Sequence, residues 1–287
     1  MTLKELRSTF TTGLSGNYPA EEIQSFFSWL AESYLGYSRF EVSMNLNETV
    51  PDEVQTKFSE ALIRLKKHEP IQYILGETEF YGLPIRVSPA TLIPRPETEE
   101  LVQWVIGNSR EKLPNLTKLN VLDIGTGSGC IAISLAKYLK NASVSALDIS
   151  EEAIVVAKEN ALLNDVAVNF QQADILAIKH LPQQYDIIIS NPPYVRELEK
   201  KHMLPNVLAH EPETALFVSD KAPLLFYEQI AALASTSLTP SGTLYFEINE
   251  YLSEEMHQML QEKGFSEIEL KKDLFGKFRM LKCKLTS

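Results

Sequence analysis

The sequence predicts an α/β domain on a doubly wound, mostly parallel sheet that ends in an antiparallel C-terminal hairpin, preceded by a small helical bundle. Three observations predict it. From Leu119 onward short β-prone runs alternate with helical stretches. Before about residue 75 the apolar positions recur only at helical spacing. The tail carries two strand-like runs, Phe265 to Leu270 and Phe278 to Leu285, about a turn at Gly276.

With 287 residues, 44% of them hydrophobic and 23% charged, the chain is long enough for two cores. A formal net charge of -11 opposes a protein whose affinity comes from neutralising many phosphates, so direct nucleic-acid binding is not expected. Cys130 and Cys283 lie far apart without partners at metal-ligand spacing, which predicts neither a disulfide framework nor a zinc site. Met1 to Phe10 is charged and amphipathic, and no run approaches the roughly 18 apolar residues of a membrane span. A reducing cytoplasm is the expected setting, with no membrane partner.

In chain order, Thr2-Leu3-Lys4-Glu5 has the capping-box pattern, and Ile23, Phe26, Phe27, Leu30 and Tyr34 form a helical stripe after Pro19. A further helix begins at Pro51, with Val54, Phe58, Ala61, Leu62 and Leu65 on one face, and stops near His68-Glu69-Pro70. Such stripes are packed core far more often than cofactor sites, so residues 1–76 read as a helical bundle with at most a docking role. Residues 77–88, with Gly82 between two short apolar pieces, read as a hairpin linking this bundle to the main domain at 89–287. In Ile93-Pro94-Arg95-Pro96-Glu97-Thr98-Glu99 the prolines precede a helix whose first-turn acids suit its dipole. A well-started helix explains Pro96, Glu97 and Glu99, but not Arg95 held between two prolines. Strands are then expected at 120–124, 143–147, 166–170, 185–190 and 243–248, with helices at 128–139, 150–163, 223–238 and 253–263. With the two tail runs this makes seven strands.

Val121-Leu122-Asp123-Ile124-Gly125-Thr126-Gly127-Ser128-Gly129 is a strand entering a glycine-rich turn and then a helix. Its glycines let backbone approach a ligand. A dinucleotide fingerprint requires glycine where Cys130 stands, which argues against a pyrophosphate. The loop resembles the S-adenosylmethionine site of class I methyltransferases. Asp148, ending the next strand, can accept hydrogen bonds from ribose hydroxyls. Asp174 follows the third strand, where such enzymes contact the adenine amine, with Ile175 available to cover the ring. The competing reading of Asp174 is a turn or helix cap.

Ser190-Asn191-Pro192-Pro193-Tyr194 closes the run Tyr185-Asp186-Ile187-Ile188-Ile189. A buried strand here delivers an amide, two prolines and an aromatic to its C-terminal edge, where ligands bind open α/β sheets. Methyl transfer to an amide nitrogen must disturb the resonance that delocalises its lone pair. The Asn191 side-chain oxygen and the Pro192 carbonyl, accepting from a substrate NH2, favour a pyramidal, electron-rich nitrogen. Tyr194 can stack on a planar amide, and Pro192 and Pro193 keep the backbone from relaxing. The bland alternative is an ordinary turn after a strand.

This tetrad with the glycine loop resembles amino-methyltransferases acting on planar NH2 groups. The run from Ser88 through Pro94-Arg95-Pro96-Glu97-Thr98-Glu99 narrows the match, together with Glu211-Pro212, Ala215-Leu216-Phe217 and Lys272-Asp273-Leu274 with Gly276 and Arg279. Over essentially its whole length the chain resembles the release factor glutamine methyltransferase (HemK/PrmC) family. The resemblance implies a class I, Rossmann-like methyltransferase with S-adenosyl-L-methionine as cofactor and S-adenosyl-L-homocysteine as product. It implies as substrate the glutamine of the Gly-Gly-Gln motif of class-1 peptide chain release factors, methylated at the side-chain nitrogen N5, with the helical bundle helping to dock that protein. The expected cofactor contacts are Gly125, Thr126, Gly127, Ser128, Gly129, Asp148, Asp174, Ile175 and Asn191. The expected substrate contacts are Asn191, Pro192, Pro193, Tyr194 and Arg95, with Asn191, Pro192 and Tyr194 carrying the chemistry. One departure is Asn249, where the family usually has glycine; asparagine best tolerates positive φ, so the turn is expected to survive.

Two other readings stand beside this one. A nucleic-acid base as acceptor needs base flipping and usually a basic surface, against which the acidic composition counts. A noncatalytic cofactor-binding module that holds a translation factor is opposed by the intact tetrad. His68, His180, His202, His210 and His257 have no partners at ligand spacing, so no metal is expected. The charged stretch from Arg196 to Phe217 reads as a lid or substrate wall, or as a solvated loop.

Overall fold

The computed structural model describes residues 1–112 and 118–286. The chain divides into two compact units, Met1–Gly76 with Leu204–His210, and Glu77–Met203 with Glu211–Ser287. The hairpin expected as a linker falls inside the second unit.

The first unit holds α1 (Leu3–Leu14), α2 (Ala20–Leu35), α3 (Arg39–Met44), α4 (Asp52–Lys66) and α5 (Ile71–Leu75). Thr2 and Glu5 form a reciprocal capping box that satisfies two otherwise orphaned amides. α2 ends at Gly36 with φ 71, a left-handed cap that glycine adopts without a Cβ penalty. The predicted stripes face inward, where Phe10, Phe27 and Phe58 pack edge to face or tilted with Leu30 and Leu65 around them. Burying each of these rings contributes about 1.5–3 kcal/mol. α3 and α5, too short to show periodicity, are additions to the expected bundle.

The second unit opens with the antiparallel pair β1 (Glu77–Phe80) and β2 (Leu83–Arg86), then α6 (Pro96–Lys112). The alternating part follows as β3 (Leu119–Ile124), α7 (Cys130–Tyr138), β4 (Ala142–Asp148), α8 (Glu151–Leu163), β5 (Val168–Gln172) and β6 (Tyr185–Ser190). After β6 come β7 (Val195–Arg196), a 3-10 turn at Glu197–His202, α9 (Pro205–His210), which is counted with the first unit, and then α10 (Glu213–Leu216) and β8 (Phe217–Val218). The charged stretch therefore has its own structure, including a two-residue parallel pairing of β7 with β8. The chain closes with α11 (Leu225–Ser237), β9 (Leu238–Glu247), α12 (Ser253–Glu262), β10 (Phe265–Lys272) and β11 (Phe278–Leu285).

Among the described residues seven strands form one sheet in the order β10-β11-β9-β6-β3-β4-β5, with β11 antiparallel to both its neighbours and the other six strands running in one direction. Strand order reverses between β3 and β6, and the register places Ile124 beside Ser190 and Ser190 beside Phe246. Chain reversal at this point opens a crevice at the carboxyl ends of the strands. The residues next along, Gly125, Asn191 and Glu247, thus stand at one level, Glu247 as the last residue of β9.

Candidate active site

The glycine loop is built by backbone bonds to the neighbouring strand: the Gly125 and Thr126 amides both donate to the Leu147 carbonyl. Gly125, Gly127 and Gly129 have φ of 75, 54 and 83, which an L side chain adopts only with strain. Asp123, fully buried beneath the loop, accepts from the Thr126 hydroxyl at 2.6 Å. Burial pushes its carboxyl up to about 7, with the Thr126 bond working against that rise.

Above the loop lies a cavity of about 400 Å³. Asp148 lines it, one oxygen accepting from the Gly127 amide at 2.8 Å and the other from the Ser150 amide at 2.9 Å. A carboxylate has about four acceptor sites, so the pinned group keeps capacity for hydroxyl donors. Asp174 accepts from the Leu176 amide at 2.9 Å, as the turn-cap reading expects, and also lines the cavity. Ile149, Ile175, Leu176, Phe226 and Ile230 supply an apolar wall. A nucleoside with hydroxyls and a flat ring suits this donor set and size.

Asn191, Pro192 and Pro193 border the same cavity, as does Arg95. Arg95 is paired with Glu211 at 2.5 Å, whose second oxygen accepts from the Ile93 amide at 3.2 Å. Glu211 is 1% exposed at its side chain and Arg95 33%, so one buried acid fixes the proline-flanked arginine while donors of its five-donor fork remain. Asn191 donates to the Thr98 hydroxyl at 3.2 Å, Thr98 donates to Glu247 at 2.6 Å, and Tyr194 donates to the other Glu247 oxygen at 2.9 Å. Burial raises the Glu247 carboxyl, while the two hydroxyl bonds and Arg279 oppose the rise. Burial, and then the neighbouring Glu247 charge, hold the Tyr194 phenol well above its ordinary value.

Residues 5–76 match the PrmC N-terminal domain, and residues 110–221 the methyltransferase small domain. The chain is 48% identical over 282 residues to the release factor glutamine methyltransferase of Flavobacterium psychrophilum, covering 98% of this chain and 99% of that one. The chain belongs to the release factor glutamine methyltransferase family. A second member, from Bacteroides thetaiotaomicron, is 44% identical over 92% of this chain and 93% of its own. A methyltransferase from Pyrococcus furiosus shares the fold, with a TM-score of 0.51 at 19% identity, covering 82% of this chain and 98% of that one. As a member of this family the chain is an S-adenosylmethionine-dependent methyltransferase, and neither the base-modifying nor the noncatalytic alternative is favoured.

Within this methyltransferase most residues expected at the site do border the cavity, namely Gly125, Thr126, Gly127, Ser128, Asp148, Asp174, Ile175, Arg95 and Asn191 to Pro193. Gly129 does not; it packs against α8, where a Cβ would stand 3.0 Å from that of Ala157. Tyr194 also lies off the cavity lining, its ring packed against the core around Tyr227 and Phe246 and its hydroxyl committed to Glu247. The expectation for Asn249 is corrected: its φ is -68, so the turn needs no left-handed residue. Its side chain instead donates to the Tyr194 carbonyl at 3.0 Å and to Glu199 at 2.9 Å, and accepts from the Tyr251 amide. Sequence reasoning missed Glu247, Thr98 and the pairing role of Glu211. A signal for Glu247 existed, since an acid inside the apolar run Leu244-Tyr245-Phe246-Glu247-Ile248 must be partnered if buried. Among the described residues no three His, Cys, Asp or Glu side chains are grouped to hold a metal ion, and no helix is long and apolar enough to cross a membrane.

Proposed function

We propose that the chain methylates the side-chain amide nitrogen, N5, of the glutamine in the Gly-Gly-Gln motif of class-1 peptide chain release factors, in the cytoplasm. Bound S-adenosylmethionine supplies a sulfonium methyl group and leaves as the thioether S-adenosylhomocysteine. Asp148 would hold its ribose hydroxyls, Asp174 and Ile175 its adenine, and residues 125–128 the backbone surface beneath it. Asn191 Oδ1 and the Pro192 carbonyl then accept the two N–H bonds of the substrate amide. As the nitrogen gives its lone pair to the methyl carbon it becomes pyramidal and positive, and both acceptor bonds strengthen in that state. Once the N–C bond has formed, the nitrogen gives up one proton to water and the neutral amide is restored. Arg95, held by Glu211, would contact the peptide flanking the glutamine, and the N-terminal bundle would help to dock the release factor.

The observation that carries this reading is the emergence of Asn191 and Pro192 from β6 beside the Gly125 loop, both bordering one cavity at the strand-order reversal. Incubation with radiolabelled S-adenosylmethionine and either release factor or DNA tests it. Label in the release factor, lost when its glutamine is replaced, is expected. Label in DNA alone, or in neither, overturns it.

A further inference from the structure

Asn191 can accept from a substrate NH2 only if its amide is turned with the oxygen outward, and a rotated amide would present a repelling NH2 instead. A backbone turn does not decide between the two orientations. The hydroxyl of Thr98 does. A hydroxyl carries one proton, and Thr98 spends that proton on Glu247 Oε2 at 2.6 Å. Its oxygen can then only accept from Asn191, so the Asn191 nitrogen faces Thr98 at 3.2 Å and the oxygen is left for the substrate. The direction of the chain is set at its far end: an ionised carboxylate donates nothing, so Thr98 and Tyr194 must both donate to Glu247.

We infer that Glu247 is a positioning residue for methyl transfer, acting through the Thr98 hydroxyl to hold the Asn191 amide in its accepting orientation and anchoring Tyr194 of the same tetrad with its other oxygen. The inference deepens the proposed function and rests on the acceptor role given there to Asn191. β9 and β6 make the arrangement possible, because their register puts Ser190 beside Phe246 and so Asn191 level with Glu247. Thr98 reaches both from the first turn of α6, and with Thr98 3% and Glu247 1% exposed, water does not compete for these bonds. The titratable and charged groups that interact electrostatically with Glu247 are Glu97 of α6, Cys130 of α7, Tyr227 of α11 and Arg279 of β11, besides its hydrogen-bond partners Thr98 and Tyr194. Arg279 is the cation that offsets the buried negative charge. A protonated Glu247 could donate to Thr98, whose proton would then be free to turn toward Asn191 and reverse the chain.

The test compares Thr98→Val, which keeps the shape and removes the hydroxyl, with Thr98→Ser, which keeps the hydroxyl, and includes Asn191→Ala and Glu247→Gln. Calorimetric titration with S-adenosylmethionine verifies folding and cofactor affinity, and turnover is read on intact release factor. Thr98→Val should lose about 10²-fold in kcat, the scale of a misoriented reactive group, with cofactor affinity kept, while Thr98→Ser recovers most of the rate. At saturating cofactor the wild-type kcat should decline in acid, and Glu247→Gln, with nothing to titrate there, should lose that decline. Thr98→Val at wild-type rate, Thr98→Ser as poor as Thr98→Val, or an unchanged acid decline in Glu247→Gln would each overturn the inference. If Asn191→Ala itself keeps the wild-type rate, the acceptor role of Asn191 fails first; if it is slow and Thr98→Val is not, only the relay fails. Should Thr98→Val not bind cofactor, the decision passes to the acid decline of Glu247→Gln.

Discussion

The three loop glycines should separate under substitution, because the structure gives each the same backbone demand and different surroundings. Alanine at Gly129 meets two penalties. Its φ of 83 is left-handed, costing about 1–2 kcal/mol, and its Cβ would stand 3.0 Å from both Ala157 Cβ and Ile133 Cδ1 and 3.3 Å from Ala157 Cα. The last of these is backbone of α8 and cannot rotate away, so overpacking adds about 1–3 kcal/mol. The sum is roughly 2–5 kcal/mol, or roughly 4–20 °C in the melting temperature of a unit of this size. Gly127, with φ 54, and Gly125, with φ 75, have nothing within 4 Å of an added methyl and border the cavity. Alanine there should cost only the backbone strain, about 1–2 kcal/mol, but place a methyl where the cofactor approaches the loop. Differential scanning calorimetry and cofactor titration on the three variants read both quantities. Gly129→Ala should melt lowest, and Gly127→Ala should lose the larger share of affinity relative to its stability change. If Gly127→Ala melts as low as Gly129→Ala, or Gly129→Ala stays within about 1 kcal/mol of wild type, the division between a packing glycine and two ligand-facing ones is wrong.

Asn191→Ala should lower turnover about 10²- to 10³-fold while leaving cofactor affinity nearly intact in calorimetry; comparable losses in both would refute its assignment to the acceptor nitrogen. Asp148→Ala should show the reverse, with affinity reduced about 10- to 100-fold, the worth of one charge-assisted hydrogen bond, and kcat at saturating cofactor largely kept. Asp123 has its folded carboxyl raised from 3.8 to about 7, so the stability it contributes is complete below pH 3.8 and is lost as pH rises through 7, at most about 4 kcal/mol. Asp123→Asn, which keeps an acceptor for Thr126, should therefore melt above wild type at pH 8, and the gap should close toward pH 4. Asn249→Gly removes three hydrogen bonds, so it should lower the melting point by an amount equivalent to about 1–3 kcal/mol, whereas an unchanged melting point would mean those bonds contribute nothing.

Much of this was legible because it is local. The seven strands and the long helices follow from periodicity, and most ends moved by one or two residues, as with β5 at Val168–Gln172 against the expected 166–170, while β9 begins at Leu238, five residues before the expected 243. The glycine turn and the Asn191 to Tyr194 stretch announce themselves by punctuation, since glycine and proline restrict backbone whatever the tertiary context. What stayed hidden is shorter or longer in range than a window of sequence. α3, α5 and the pieces from β7 to β8 are too brief for a period to show. The pairing of Arg95 with Glu211 joins residues 116 apart, and nothing near either one names the other. Asn249 was misjudged for a related reason: an expected glycine suggested a backbone constraint, whereas the residue works through its side chain.

Glu247 marks the physical boundary between these cases. Its own strand reveals that a charge must be accommodated, because an acid among Leu244, Tyr245, Phe246 and Ile248 has no solvent face to turn to. It does not reveal with what, since the partners arrive from α6 and from the end of β6, 149 and 53 residues away. Sheet register supplies the missing information. Once β6 and β9 are parallel neighbours with Ser190 opposite Phe246, the carboxylate and the tetrad are forced to one level, and the acid becomes the fixed end of the tetrad's hydrogen bonds. The same logic explains why the site draws on so many strand ends. Each strand can hold its residues rigidly in the sheet and release one polar side chain at the edge, so orientation within the site is inherited from the sheet rather than ordered anew by each loop.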